Sequence, residues 1–330
     1  MGNSTTRRHA TTWAILAIVT STALSQAATT RQVRCLVDAD WPKKPNDITW
    51  AAMSGIAVDA HDHIHLFTRS DPAVQVYHRD GTLLRTFSTT DPNGAHQIKF
   101  DPDGNVWLTN YANHVIEKRT PQGKLLLTLG QPGQPGCDDT HFNGPTDIAF
   151  LPAGDLFISD GYGNRRIVHL DRHGRFVRQW GREGIAPGQF ALPHAIAIDD
   201  NNRIYVADRN NARIQVFDTA GKLLALWDGL IVPWGLTVTK DNEIWVCGSS
   251  PVRLPDDSGW VIAPPPDQLL LQLSPEGKTL LRVPLPYSAA PNATPGAVNW
   301  VHCIAVDSHG DLYLGDIQGR RAQKFSLHTP

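Results

Sequence analysis

Apolar and polar residues alternate along most of this chain in short runs, separated by bends of Gly, Asn, Asp and Pro. One run recurs: an Ile or Leu, a small or polar residue, a second apolar residue and often Asp. It appears as Ile56-Ala57-Val58-Asp59, Ile98-Lys99-Phe100-Asp101, Ile148-Ala149-Phe150, Ile196-Ala197-Ile198-Asp199, Leu236-Thr237-Val238 and Ile304-Ala305-Val306-Asp307, with separations of 42, 50, 48, 40 and 68 residues. A turn follows, such as Asp101-Pro102-Asp103-Gly104-Asn105, and then a second apolar run, here Val106-Trp107-Leu108. Further along each unit, runs such as Ile214-Gln215-Val216-Phe217 and Leu223 to Trp227 flank another Gly turn. Alternation with period two between such turns predicts antiparallel strands joined as hairpins.

Four short strands per unit, repeated six times, predict an all-β fold, a six-bladed β-propeller. The run from Gln32 to Val37 is left over at the start, and the sixth unit is short at its end. The N-terminal strand is therefore expected to complete the last blade and close the ring, leaving no open sheet edge there. The segment from Ser249 to Pro266, rich in Pro, Asp and Gly, reads as a rim loop inserted in the fifth unit.

Aligning the units exposes a chemical pattern. The residue two positions before the first Ile or Leu is Ser54, His96, Thr146, His194, Trp234 and His302 in blade order. The first strand of each propeller blade lines the axial channel, so alternate blades set these histidines about 120° apart and facing inward. Three imidazoles around an open position are the ligand set of a catalytic zinc, so His96, His194 and His302 are the candidate metal ligands. A single histidine here would be an ordinary packed residue; the set of three on alternate blades favours metal. His61, His63 and His65, spaced by two near the first hairpin, read instead as solvated.

Composition narrows the setting. The 330 residues carry 30 Lys+Arg against 32 Asp+Glu, which argues against a nucleic-acid or anionic-membrane partner. Arg7 and Arg8, an apolar run from Trp13 to Leu24 and Ser25-Gln26-Ala27 have the order of a secretory leader. Residues 1–27 are accordingly expected to be removed, leaving residues 28–330 as one propeller domain, secreted or periplasmic, monomeric and without a membrane anchor. Cys35, Cys137, Cys247 and Cys303 lack metal-site spacing. In an oxidising compartment a pair could bridge, but the sequence does not say which.

Several stretches carry a resemblance. Gly94-Ala95-His96-Gln97-Ile98, His141-Phe142-Asn143-Gly144-Pro145-Thr146-Asp147-Ile148, Ser159-Asp160-Gly161-Tyr162-Gly163-Asn164-Arg165-Arg166, Pro187-Gly188-Gln189-Phe190-Ala191-Leu192-Pro193-His194 and Ala207-Asp208-Arg209-Asn210-Asn211 resemble the peptidyl-α-hydroxyglycine α-amidating lyases, propellers of NHL-type repeats. The similarity runs from about Gly55 to Phe325 and is most specific in blades three and four. It implies zinc on His96, His194 and His302, with Tyr162 at the metal. It places Arg69 near the tyrosine and the substrate carboxylate, and Arg209 as a further arginine near the site. The implied reaction breaks the N–C bond of a C-terminal α-hydroxyglycine, on a small peptide or N-acyl substrate, giving an amide and glyoxylate. A tyrosine beside a cation and an arginine would have its proton affinity pulled down, making a phenolate base plausible.

Some positions depart from the family pattern. Its third-blade disulfide would join positions 143 and 163, which are Asn143 and Gly163 here. Its structural calcium would use the backbone carbonyls of Ile56 and Ile98 and a carboxylate at position 303, where this chain has Cys303. A thiol offers nothing to a hard cation, which puts calcium in doubt. Trp300 replaces a methionine at the pocket. Two other readings stand: a non-catalytic NHL propeller that binds a protein or ligand, and another metal-dependent propeller hydrolase or lactonase, in which carboxylate ligands would be expected.

Overall fold

In the computed structural model, which describes residues 33–256, 259–260, 267–290 and 294–328, six four-stranded antiparallel sheets surround one axis. The leader expected at residues 1–27 lies outside the described residues. The inner strands of blades one to six are Met53–Val58, Ala95–Phe100, Asp147–Phe150, Pro193–Ile198, Val232–Val238 and Val301–Val306. The second strands, Ile64–Thr68, Val106–Asn110, Leu156–Asp160, Ile204–Asp208, Ile244–Ser249 and Leu312–Asp316, are buried at every residue. They are packed on both faces by neighbouring blades, so they read as near-continuous apolar runs. Outer strands such as Leu83–Phe87 have one wet face and alternate. The only helix among the described residues is a single 3-10 turn, Arg209–Asn211.

Side chains interdigitate between blades, and each of the six gaps holds its own apolar cluster. Between blades one and two, for example, Phe67, Val74 and Val76 meet Ile98, Val106 and Leu108. The aspartate that ends the inner strand in blades one, two, four and six stiffens the opposite end of the propeller from the histidines. Asp101 Oδ1 accepts the backbone N–H groups of Asp103 and Asn105, and its Oδ2 accepts Trp107 Nε1–H at 3.0 Å. Asp199 does the same with Asn201, Arg203 and the Tyr205 hydroxyl, and Asp307 with His309, Asp311 and the Tyr313 hydroxyl.

In blade one this device uses a histidine, which corrects the expectation of a solvated cluster. His65 is fully buried with Nε2 3.2 Å from Asp59 Oδ2, and His63 Nδ1 lies 3.1 Å from the same oxygen. His65 takes the place of Trp107, Tyr205 and Tyr313, so His65 and His63 belong to the fold, whereas His61 is exposed as expected.

The ring closes as expected, with a strand that ends one residue later, at Asp38; Gln32 lies outside the described residues. Arg34–Asp38 pairs antiparallel with Arg321–His328 and becomes the outermost strand of blade six. Trp41, just after it, packs edge-on against Tyr313 of blade six at 5.0 Å and against Tyr77 of blade one at 6.2 Å. Arg79 of blade one completes the seam on Asp307 of blade six at 2.8 Å. A chain beginning at Ala39 should expose the Arg321–His328 edge. Its Tm is expected to fall by more than ~5 °C with a shift to larger species in size-exclusion chromatography, whereas an unchanged melt would show that closure does not depend on this strand.

Candidate metal centre

In five of the six blades the ring position is set by a local irregularity; in blade three Thr146 directly precedes the inner strand. Strand pairing steps from Met53 to Gly55, Ala95 to Gln97, Pro193 to Ala195, Pro233 to Gly235 and Val301 to Cys303. The skipped residues are Ser54, His96, His194, Trp234 and His302. Each is the extra residue of a β-bulge, which frees its side chain from the pleat and re-aims it. The three histidines meet on the axis, with ring centroids 4.8, 4.9 and 4.9 Å apart and each residue at most 2% exposed. Their ligand atoms all lie within 4.8 Å of one another, the only such His/Cys/Asp/Glu group among the described residues that could hold a metal ion.

The second nitrogen of each ring fixes the first. His96 Nδ1 is 2.6 Å from the carbonyl oxygen of Thr146, His194 Nδ1 2.6 Å from that of Trp234, and His302 Nδ1 2.7 Å from that of Ser54. Thr146, Trp234 and Ser54 are the ring residues of the following blades. A carbonyl only accepts, so Nδ1 carries the proton and the Nε2 lone pair is left for a ligand. Burial holds all three imidazoles neutral: it pushes His96 and His194 well below the usual histidine range and His302 down to about 3. Three neutral nitrogens converging on one point, with their tautomer fixed from behind, suit a tetrahedral cation with one position open.

A second tier lies over the histidines. Each of its residues donates its backbone N–H to the carbonyl two residues before a ring position: Arg69 to Ala52, Tyr111 to Gly94, Tyr162 to Gly144, Arg209 to Leu192 and Ile317 to Trp300. Tyr162 Oη stands 3.1 Å from His96 Nε2 and 3.4 Å from His194 Nε2. Arg209 donates its Nε–H to Asn210 Oδ1 at 3.0 Å, lies 4.2 Å over the Trp234 ring, and its charge acts on the Tyr162 phenol. Arg69 stacks 4.9 Å over Tyr111 and is fixed by its Nε–H on the Ala95 carbonyl at 3.0 Å. All six candidate residues therefore share one site.

Tyr111, between Arg69 and Tyr162, was missed. Its signal was available, because Asn110-Tyr111 occupies in blade two the place of Thr68-Arg69 and Asp208-Arg209. Trp234 closes the gap between His194 and His302, backed by Trp300 in an edge-to-face contact at 4.4 Å. Asn143 and Gly163 are adjacent, as a disulfide between those positions would need: a Cβ added at Gly163 would lie 2.1 Å from Asn143 Cγ. Arg166 and Arg213 are buried anchors rather than surface charges. Arg166 pairs with Asp160 and holds the carbonyls of Cys137, Asp138 and His141, fixing the loop that leads to Thr146.

The charge balance is one-sided. Neither Arg69 nor Arg209 has a carboxylate partner among the described ion pairs, and no acidic side chain contributes to the Arg209 shift. The expectation of a lowered tyrosine is not met in the metal-free chain, where the net shift is upward. Burial pushes the Tyr162 phenol up, while Arg209 and Arg69 pull it down.

The depressed histidines make a linkage prediction. The unfolded chain binds protons at these positions below about pH 6.5, and the folded chain does not. Stability present above that pH is therefore lost as the pH falls toward the folded values, about 3 for His302. The melting temperature of the metal-free protein should decline between about pH 6.5 and about pH 4, and His302→Gln should flatten the decline in calorimetry. Equal slopes would remove the triad from the linkage.

The comparisons agree with this architecture. The NHL-repeat family model matches residues 190–217, the three strands that carry His194 and the Arg209 turn. Peptidyl-glycine alpha-amidating monooxygenase of Mus musculus is 38% identical over 203 residues, 52% of this chain and 21% of that relative. The probable peptidyl-alpha-hydroxyglycine alpha-amidating lyase of Caenorhabditis elegans is 31% identical over 219 residues, 58% of this chain and 61% of that relative. The chain thus spans about a fifth of the length of the monooxygenase it matches. Among solved structures, a streptogramin B lyase shares the fold with a TM-score of 0.59 at 15% identity, covering 90% of this chain and 98% of that one. With six repeats built around the histidine triad, the chain is a six-bladed propeller with an NHL-type repeat, similar in sequence to the peptidyl-α-hydroxyglycine α-amidating lyases.

Proposed function

We propose that this protein is a zinc-dependent lyase that splits the N–C bond of a C-terminal α-hydroxyglycine, on a peptide or a small acylamide, into an amide and glyoxylate. The observation that carries the reading is Tyr162 Oη beside the Nε2 atoms of both His96 and His194, with Arg209, which no carboxylate pairs, pulling on the same phenol. Zinc on the three Nε2 atoms would supply positive charge that acidifies a neighbouring hydroxyl without any change in protein charge. Arg69 and Arg209, two cations without a carboxylate of their own, suit the substrate's carboxylate through bidentate pairing. Their planes are pre-set by Tyr111 and Trp234, so little side-chain freedom is lost on binding.

The step balances with protein groups alone as the proton carriers. Tyr162 takes the proton of the α-hydroxyl, the electron pair of that O–H bond forms the new C=O of glyoxylate, and the C–N bond breaks. The amide nitrogen leaves with the C–N electron pair and takes a proton back from the tyrosine. No oxidant or reductant is consumed. Because burial raises the phenol, its role as a base depends on the summed charge of Arg209, Arg69 and a bound cation. The protein is proposed to act outside the cytoplasm as a monomer.

Incubation with an N-acyl α-hydroxyglycine should release glyoxylate. Tyr162→Phe should lower kcat by ~10²–10⁴ with zinc retained, and His194→Ala should lose the metal by elemental analysis. Arg69→Met should act mainly on KM. A wild-type rate no higher than that of Tyr162→Phe would sink the lyase reading, and purified protein that neither contains nor takes up zinc would favour a binding propeller instead. The exported product should begin at Ala28 by N-terminal sequencing; an intact leader on the exported protein would refute the processing site.

A further inference from the structure

Beneath the triad, the axial channel is lined in layers that the repeats set. The residue after each ring position is Gly55, Gln97, Asp147, Ala195, Gly235 and Cys303. Two residues further along come Ala57, Lys99, Ala149, Ala197, Thr237 and Ala305. The upper layer holds one carboxylate and the lower layer one ammonium. Four of the six lower positions are alanine, so the stem of Lys99 has room to cross the channel. Its Nζ lies 3.7 Å from Asp147 Oδ2, with the Asp147 side chain fully buried and that of Lys99 20% exposed. On its open side Lys99 borders a cavity of about 480 Å³ lined by Phe100, Ile148, Phe150 and Ile198 together with Asp101, Asp199 and Asp200.

Asp147 is also tied to the protein on both sides. Its Oδ1 accepts the backbone N–H of Ile148 at 2.8 Å, and its Oδ2 accepts that of Ile196 at 3.0 Å. Ile196 lies two residues after His194, Lys99 lies three after His96, and Asp147 directly follows Thr146, whose carbonyl receives His96 Nδ1–H. Blades two, three and four thus meet on one carboxylate immediately below two of the three candidate ligands. Without a cation this arrangement would be costly. Burial drives the Asp147 carboxyl up to about 6 even with Lys99 and the two amides pulling it down.

A calcium ion does not fit here. Position 303 presents a buried thiol that burial keeps firmly protonated, and the one carboxylate of the layer already faces an ammonium. We propose that Lys99 is a built-in cation: ion-paired with Asp147 on the axis, it occupies the role of a divalent ion and positions the histidine triad from below, so that the propeller needs no calcium. The positioning half of this inference rests on the triad being the zinc site.

The test compares zinc-loaded wild type, Lys99→Met, Lys99→Arg and Lys99→Met/Asp147→Asn in calcium-free buffer and with millimolar calcium. It reads Tm and the zinc Kd by competition with a chromophoric chelator. Wild-type Tm should not respond to calcium. Lys99→Met, with an uncompensated buried carboxylate, should melt roughly 5–15 °C lower and bind zinc ~10-fold or more weakly, and calcium should restore part of its Tm. Lys99→Arg should stay close to wild type in both readings. The double variant should recover much of the Tm but not the zinc affinity. A wild-type protein stabilised by calcium would overturn the proposal, as would Lys99→Met matching wild type in Tm and zinc Kd. Should Lys99→Met fail to accumulate, the double variant decides: weakened zinc binding supports the proposal and wild-type zinc binding overturns it. Zinc uptake without glyoxylate release would defeat the lyase reading and leave this result standing.

Discussion

The site depends on one repeated hydrogen bond, from the Nδ1–H of a buried histidine to the ring-position carbonyl of the following blade. It occurs three times: blade two to three, blade four to five and blade six to one. Each bond meets a need of both partners, since a buried imidazole N–H and a buried carbonyl at a bulge would otherwise be left unpaired. It also decides chemistry, because the proton it fixes on Nδ1 leaves Nε2 as the lone pair that faces the axis. Six blades with one donor and one acceptor position per pair give a threefold arrangement. That is the physical reason the histidines alternate with Ser54, Thr146 and Trp234. Side chains at those three positions need not reach the axis, because their contribution is a backbone oxygen.

The same constraint links the strength of the fold to the geometry of the centre. Blade spacing is set by the apolar clusters in each gap, and the closing pairs between blades six and one keep the circle from opening. Any relaxation there would lengthen the bond between His302 and Ser54, the one triad bond that crosses the seam. Packing far from the axis thereby holds the three Nε2 atoms together. Loop anchors act on the upper tier in the same way. Asp208 accepts the backbone N–H groups of Ala191 and Leu192 and pairs with Arg213, and Asp316 accepts those of Asn299 and Trp300.

Most of the fold was legible because the repeat is written in positions that packing makes obligatory: apolar inner and second strands, Asp or Gly at the bends, and a bulge residue at constant offset. The triad was legible for the same reason, since one register reads out one layer of the channel. What escaped was context within that register. His65 looked like part of a wet histidine run, but its equivalents Trp107, Tyr205 and Tyr313 show that this position donates to the strand-ending aspartate. Tyr111 was marked only by its position after the second strand, because the tier above the histidines mixes Arg, Tyr and Ile. Their common element is a backbone hydrogen bond, and backbone bonds leave no side-chain signature. The raised Tyr162 follows from burial, which a string of letters does not display.

The electrostatics of the channel explain why these layers must be read together. Above the triad stand two guanidiniums without carboxylates; below it stand one ammonium and one carboxylate that cancel. The protein thus places its uncompensated positive charge on the side open to a substrate and keeps the buried side neutral. A cation on three neutral imidazoles adds to that asymmetry, since the histidines supply no negative charge to offset it. The field across Tyr162 therefore points one way, against its proton, and opposes the effect of burial. An acidic residue in the upper tier would cancel that field and compete with a substrate carboxylate. Its place in blades one and four is taken by arginines seated over aromatic rings, so the tier that covers the three imidazole nitrogens carries positive charge without an acid of its own.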